Sequence, residues 1–395
     1  MRRFRFFGLL LTVVAAVSVT VAAVPPQGTA SPPPVPLDKL KLPPGFKISV
    51  FAEGVRNARG MALGAKGTVF VGSMNARTVY ALVDKNGDGV ADEIKTIATG
   101  VALPAGVAFH NGSLYYSSVT RIFRLDDIED HLDNPPQPVV VYDKLPNNGG
   151  HNWRYIAFGP DGWLYIGLGS PCNVCDKELT DDPRLATIAR IKPDGSEFEV
   201  YAHGVRNSVG FDWHPVTHEM WFSDNGRDNL GDDIPSDELN VATKAGQHFG
   251  YPFCNQGDLV DPDVGKGHTC AEFVPPILKV GPHVASIGLK FYTGSMFPAE
   301  YKNAIFVAQH GSWNRSQPIG YRVMVVKNDG HKVLDYQPFV DGFLHGIRGT
   351  PGTPPDGRST GDAYARPADT LVLKDGSLLI SDDQGGRIFR VTYGK

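Results

Sequence analysis

The stretch His151-Asn152-Trp153-Arg154-Tyr155-Ile156-Ala157-Phe158-Gly159-Pro160-Asp161-Gly162-Trp163-Leu164-Tyr165-Ile166-Gly167-Leu168-Gly169 holds two short strands and the turn that joins them. Residues 155–158 and 163–166 are rich in aromatic and β-branched side chains, and Gly159-Pro160-Asp161-Gly162 supplies the fixed and positive φ values of a tight turn. A histidine stands at the mouth of this predicted hairpin. The same phrase recurs with an entry residue, an apolar strand, a Gly or Asp turn, a second apolar strand and then small polar residues. Copies begin near Arg59, Pro104, Asn152, Arg206, Ser286 and Arg366. Several are followed by a third strand of R-I-x-R type, as at Arg121-Ile122-Phe123-Arg124 and Arg387-Ile388-Phe389-Arg390.

The copies are about 45–55 residues apart early in the chain and about 80 apart for the later two, against roughly 40–50 residues for one propeller blade. Six units with inserts in the fourth and fifth predict an all-β fold, a six-bladed β-propeller. Closing the ring with the first and last strands in one blade hides the sheet edges. A β-sandwich is the competing architecture, and six matched hairpin phrases argue against it.

Residues 1–24 carry three arginines (Arg2, Arg3, Arg5) ahead of an apolar run that ends in small residues, the pattern of a secretory signal peptide. The run is also long enough to serve as a membrane anchor if it is not cleaved. Residues 25–41 are rich in Pro, Ser and Gly and read as an extended linker, and residues 42–395 form the propeller domain. The expected location is secreted or periplasmic. Loss of the leader, with three arginines and no acids, moves the formal charge from −4 to −7, which speaks against nucleic acid as a partner. In an exported chain the four cysteines are expected to form disulfides. Of three pairings, short loops favour Cys172 with Cys175 and Cys254 with Cys270. A four-cysteine zinc site is disfavoured by the spacing of the second pair.

Asp84-Lys85-Asn86-Gly87-Asp88-Gly89-Val90-Ala91-Asp92-Glu93 places oxygen-bearing side chains (Asp84, Asn86, Asp88, Asp92) as in the first part of a calcium loop, with Gly at the sixth position. The twelfth position is Lys95, so the bidentate glutamate is missing. Two readings stay open: a structural Ca2+ site, or a solvated Asx-rich turn.

In a propeller, residues ahead of the innermost strands converge on the central channel. Here those positions hold His151, Arg206-Asn207 and Arg366, with Asp224-Asn225-Gly226 and Gln309-His310 at the hairpin exits. One base, two permanent cations and several amides suit an anionic, planar cofactor with a metal.

His151 with Phe158-Gly159-Pro160-Asp161-Gly162, then His203-Gly204-Val205-Arg206-Asn207, Ser223-Asp224-Asn225-Gly226, Asp237-Glu238-Leu239-Asn240 and Phe249-Gly250-Tyr251-Pro252, resembles the pyrroloquinoline quinone (PQQ)-dependent sugar dehydrogenases. Within them the chain is most similar to the sorbosone dehydrogenase-like relatives of soluble glucose dehydrogenase, from about Leu42 to Tyr393. The resemblance implies PQQ and Ca2+ as cofactors and a small sugar as substrate. It implies His151 as general base, Arg206 as stabiliser of charge at the reactive carbonyl, and Asn207, Asn225 and Arg366 as cofactor contacts. Gly226 and Arg227 would give backbone carbonyls to the calcium, and His310 and Arg315 would be further basic contacts. The chain departs from the glucose dehydrogenases in having Gly150 and Ser170 where they have aspartates, Ala368 where they have a second arginine, and Arg227 where they have proline. These departures bear first on the base and on substrate choice.

The reading is therefore an exported quinoprotein that oxidises a sugar, aldose or related aldehyde and passes electrons to an unidentified acceptor, since no haem motif is present. A calcium-dependent lactonase propeller would need an acidic channel rather than basic entries. A non-catalytic propeller that binds a glycan or a protein is the other alternative. The insert at 251–280 and the Gly/Pro-rich segment 346–362 are expected as covers of the pocket.

Overall fold

Each hairpin phrase folds as the first two strands of a blade. The computed structural model describes residues 34–147, 150–348 and 360–394. Blade 1 comprises Ala58–Leu63, Val69–Ser73, Thr78–Val83 and Glu93–Thr99, and blade 2 comprises Val107–His110, Ser113–Ser117, Ile122–Leu125 and Val139–Tyr142. Blade 3 uses Ile156–Phe158, Leu164–Leu168, Thr187–Ile191 and Phe198–His203, with Gln247–His248 added in parallel at its edge. Blade 4 is Phe211–Trp213, Met220–Asp224, Ser236–Ala242 and Leu278–Pro282; blade 5 is Ser286–Phe291, Ile305–Gln309, Arg322–Asn328 and Val333–Val340. Blade 6 takes Pro367–Val372, Leu378–Asp382 and Arg387–Tyr393 from the end of the chain and Phe46–Glu53 from near its start. The shared last blade is the closure expected from the sequence. Phe46 secures it, its ring lying 4.8–5.1 Å from those of Phe297, Tyr301, Phe339 and Tyr393.

The period-2 pattern of the strands divides each blade between two neighbours. Val69 and Val71 face Leu371, Leu379 and Ile388 of blade 6, whereas Phe70 between them packs on Val107, Leu114 and Tyr116 of blade 2. Leu164 and Ile166 turn to blade 2 and Tyr165 to blade 4. Blades 4 and 5, and 5 and 6, meet through clusters built the same way around Trp221 and Phe306. The core is therefore a ring of six inter-blade layers.

The first strands crowd the axis, and glycine makes this possible. A Cβ on Gly106 would lie 2.1 Å from the Arg154 carbonyl, and one on Gly210 would lie 2.1 Å from that of Ile287. Larger residues there would force the blades apart and widen the channel.

Two parts of the chain behave differently from simple expectation. Residues 34–41, expected as the end of a free linker, dock on the ring: Lys41 bridges Asp341, and Val35, Leu37 and Leu40 pack into the layer between blades 5 and 6. Three apolar side chains outweigh the Pro-rich composition. The insert in blade 4 forms its own ribbon, Cys254–Asn255 with Leu259–Val260, and Cys254 is bonded to Cys270. Cys172 is bonded to Cys175, so both pairings favoured by loop length are present. The predicted leader at 1–24 lies outside the described residues. Among the described residues no helix is long and apolar enough to cross a membrane.

Candidate functional site

The blade entries meet at a cavity of ≈ 560 Å³ on the ring axis. His151, Arg206, Asn207, Asn225, Gly226, His310 and Arg366, all expected from sequence, line it. So do Arg59, Trp153, Asp228, Asp383 and Asn314, which the sequence reading left out.

Buried acids at the hairpin exits fix the entries. Asp224 accepts the backbone N–H groups of Arg206 (2.8 Å) and Asn207 (2.6 Å), and Asp382 accepts that of Arg366 (2.9 Å). Asp237, at the start of the third strand of blade 4, takes those of Gly226 (2.9 Å) and Ala285 (2.7 Å). Burial pushes Asp224 up to about 7 against the pull of these donors. The exit Ser-Asp phrases thus hold the loop backbones around the cavity.

His151 is set in one tautomer. Its Nδ1 lies 2.8 Å from the Ser170 carbonyl and 3.1 Å from the Ser170 hydroxyl. A carbonyl only accepts, so Nδ1 carries the proton and Nε2 keeps the lone pair of a base. Burial first, and then the charge of Arg206, lowers the imidazole from 6.5 to about 4. It is neutral at neutral pH without any carboxylate beside it. The serine backbone here does the orienting for which the glucose dehydrogenase pattern led one to expect an aspartate. Beneath it Arg154, with no exposed surface, donates to the His151 carbonyl (3.1 Å) and the Asn152 side chain (2.7 Å).

Arg206 is 4% exposed. Its Nε donates to the Asn173 carbonyl (3.1 Å), Nη1 to the Asn225 carbonyl (3.1 Å), and Nη2 to Asn173 Oδ1 (2.9 Å) and Asp228 (3.3 Å). Of its five N–H groups one on Nη1 is left for the cavity. Asn314 bridges Asp228 and His283 across blades 4 and 5.

On the far wall Asp383 accepts from His310 Nε2 (2.8 Å) and Arg59 Nη1 (2.9 Å). Burial would raise this carboxyl, but the His310 imidazole and the Arg59 guanidinium hold it well below the usual carboxylate range. Burial lowers His310 to about 4 in spite of Asp383. Arg366 lies over the Tyr321 ring and spends two N–H groups on the carbonyls of His310 (3.0 Å) and Gly311 (2.9 Å). It forms no ion pair with a carboxylate among the described residues, so its charge is open to an anion.

Arg315 is not brought to the cavity. Its guanidinium donates to the Gln317 carbonyl (3.2 Å) and reaches Asp233 (3.4 Å), which corrects the expectation of a basic contact there and leaves His310 as that segment's basic lining residue, beside Trp313 and Asn314. The Arg227 side chain also turns away, into a buried pair with Asp261 (2.8 Å). That arrangement leaves its proposed role, a backbone carbonyl, to the main chain. Gly150 packs against Pro171, where a Cβ would come within 2.3 Å of the Pro171 carbonyl, so the aspartate expected from the glucose dehydrogenase pattern has no room there. Ala368, on the first strand of blade 6, is buried at the axis among Tyr155, Val209 and Ile287.

The Asp84 loop lies on blade 1 and adds nothing to the central cavity. Asp84 accepts from the N–H groups of Gly87 and Gly89 (both 2.8 Å), Asn86 from that of Asp88 (2.9 Å), and Asp92 from that of Lys85 (2.6 Å). This is the geometry of an Asx-rich turn, and among the described residues no cluster of three or more His, Cys, Asp or Glu is arranged to hold a metal. The insert at 251–280 supplies no lining residue, and the centre of the segment 346–362 lies outside the described residues.

The missed residues differ in how legible they were. Arg59 heads its hairpin phrase as Arg206 and Arg366 head theirs, so its signal was the repeat itself. Asp383 follows Ser381-Asp382 as Asn225 follows Ser223-Asp224, so its place at a hairpin exit was in the repeat although its partners, 73 and 324 residues away, were not; Asp228 carried no signal, its partners being 22 and 86 residues away.

Fold and site together define a six-bladed propeller whose axial cavity is lined by three arginines, three aspartates, amides and histidines. The chain belongs to the TrAA12-like family, whose profile matches residues 40–394. It is 34% identical to an uncharacterized protein of Borreliella burgdorferi, over 99% of this chain and 98% of that one. It is 23% identical to the pyrroloquinoline quinone-dependent pyranose dehydrogenase of Coprinopsis cinerea over 74% of this chain, and spans 45% of that enzyme's length. The solved PQQ domain of that enzyme superposes with a TM-score of 0.76 at 20% identity, covering 92% of this chain and 99% of the domain. The calcium structure of a Trichoderma reesei family AA12 enzyme superposes with 0.77 at 19% identity, covering 91% and 98%. These likenesses establish the propeller fold.

Proposed function

We propose that the chain is a PQQ- and Ca2+-dependent oxidoreductase that oxidises a sugar or related aldose or aldehyde. The observation that carries this is the pairing, in one cavity, of a neutral histidine base with arginines and an amide whose polar atoms await a ligand. Asn225 Oδ1 and Trp153 Nε1 are buried in the lining without a hydrogen-bond partner, a rare state for buried polar atoms. An acceptor, a donor and the open charge of Arg366 fit a planar polycarboxylate bound with a cation.

Arg366 and Arg59 would hold carboxylates, with His310 and Asn207 beside them. Asn225 Oδ1 and the backbone carbonyls of Gly226 and Arg227 would face the calcium. PQQ supplies, when bound, an ortho-quinone that accepts a hydride from a sugar C–H. His151 Nε2 takes the proton of the sugar hydroxyl as that C–H breaks. Arg206 offers its remaining Nη1–H to the negative charge that develops, and its other four N–H groups keep it from moving with that charge. Trp313, 45% exposed at the cavity, gives a flat face for the sugar ring. The electron acceptor is a separate partner, and the site of action is outside the cytoplasm if the predicted leader acts as one.

The test is dye reduction by the PQQ- and Ca2+-loaded protein with a panel of aldoses, ketoses and polyols. Turnover on at least one sugar is expected, and none on any would refute the catalytic reading in favour of a ligand-binding propeller. The same assay checks the base. Protonation removes the Nε2 lone pair, so activity is lost as pH falls, and the acid limb of kcat/KM should lie near pH 4 rather than at the ordinary imidazole value of 6.5.

A further inference from the structure

The group assigned to charge stabilisation is held directly, and the group assigned to proton removal is held through Ser170, by the same four residues. Cys172-Asn173-Val174-Cys175 closes on itself through a disulfide just after the second strand of blade 3. Ser170, which receives His151 Nδ1, donates its own hydroxyl to the Cys172 carbonyl at 2.9 Å. Asn173 receives Arg206 twice, through its carbonyl and its Oδ1. The Asn173 amide also exchanges bonds with Asp228, its Oδ1 taking the Asp228 N–H (2.7 Å) and its Nδ2 donating to the Asp228 carbonyl (3.1 Å). Tyr251 ties the ring to the next insert, its hydroxyl accepting the Cys175 N–H at 3.0 Å.

Chain entropy gives a poor account of this disulfide. Stabilisation by cross-linking grows with the loop closed, and this bond spans a separation of 3 residues where Cys254–Cys270 spans 16. What a small ring does is restrict the backbone it contains. Asn173 lies inside the ring, and an unrestrained loop would lose conformational freedom each time it held the guanidinium by two bonds.

We propose that the Cys172–Cys175 ring is a positioning element that fixes Arg206 through Asn173 and His151 through Ser170. The inference rests on the roles given above to those two residues. Asn173 touches no reacting atom and acts through Arg206.

Two readouts test it, and the first needs neither cofactor nor substrate. In the cofactor-free protein the Arg206 Nε–H resonance, identified by its disappearance in Arg206→Lys, should be protected by its bond to Asn173. The Cys172→Ser/Cys175→Ser variant should speed its exchange with solvent by about tenfold or more, while Cys254→Ser/Cys270→Ser leaves it unchanged. Unchanged exchange in the ring-opened variant would overturn the proposal. If that variant does not fold, reduction of the remaining disulfide in folded Cys254→Ser/Cys270→Ser, followed by the same resonance, decides in the same way. The second readout is turnover by the loaded protein. Asn173→Ala should lower kcat by about 10–100-fold with little change in KM or PQQ affinity, and Asn173→Asp, which keeps the acceptor, should restore most of it. A rise in KM at unchanged kcat would also overturn it. Absence of turnover in the wild type would refute the dehydrogenase reading and leave the resonance to judge the ring.

Discussion

His151→Ala should lower kcat for sugar oxidation by about 10²–10⁴-fold while PQQ binding is retained. The size of the effect follows from the site's construction. His151 is the cavity-lining imidazole whose Nδ1 is tied to an acceptor-only carbonyl, leaving Nε2 basic. The other two are committed. His310 gives its Nε2–H to Asp383, and His283 Nε2 faces the carbonyls of Gly231 (3.0 Å) and Ile234 (3.1 Å) with its Nδ1 turned to Asn314. His283 cannot replace the lost base without breaking these bonds, and His310 stands on the far wall of the cavity from His151. The side chain is not among the groups proposed to hold the cofactor, so affinity for PQQ should move little. Steady-state kinetics alongside a cofactor titration check both halves, and a variant with kcat near wild type would remove His151 from the mechanism.

The second large effect is on stability. Arg227→Ala should destabilise the fold by about 3 kcal/mol, at the low end of the ~3–5 kcal/mol for breaking a buried ion pair, because it strands Asp261. The Asp261 side chain is 1% exposed, and Arg227 Nη1 reaches both its oxygens at 3.0 and 2.8 Å. Asn255 Nδ2 (3.0 Å) and the N–H groups of Asp263 (2.9 Å) and Val264 (3.2 Å) still satisfy the carboxylate after the change, which keeps the loss from the upper end. The pair to Asp263, itself 63% exposed on its side chain, adds little. Although burial works to raise it, Asp261 is held below its ordinary 3.8 by Arg227 and Asn255. A depressed carboxylate stabilises the fold above its unfolded pKa, and that share is lost as pH falls through the folded value. The gap between wild type and variant should therefore narrow below about pH 4. Urea unfolding at two pH values measures it. The double change Arg227→Met/Asp261→Asn should recover most of the loss, and a single-variant loss under about 1 kcal/mol would show that Arg227 is not needed there.

The ring was legible because a propeller repeats its local chemistry. Six turn-linked hairpins, each with an entry residue and a Ser or Asp exit, gave the blade number and the convergence of Arg206, Asn225 and Arg366. The same logic extends to Arg59, whose phrase was recognised although its entry residue was not singled out. Contacts between blades carry no such signal. Asp383 closes on His310 and Arg59 because the ring brings blades 5, 6 and 1 together, and nothing near it in the chain announces either partner. Arg315 shows the reverse failure. It is a basic residue in a segment that touches the cavity, yet it is turned to Asp233 by a loop path the sequence does not specify. The support of His151 was also hidden, since a serine carbonyl is invisible to any reading that counts side chains.

Titration of the metal-stripped protein with PQQ, with and without Ca2+, tests the central claim most directly. Cofactor absorbance should change saturably with one equivalent per chain, tightly only when calcium is present, and weakly in Arg366→Ala. No saturable change under either condition would contradict the assignment of the axial cavity to PQQ.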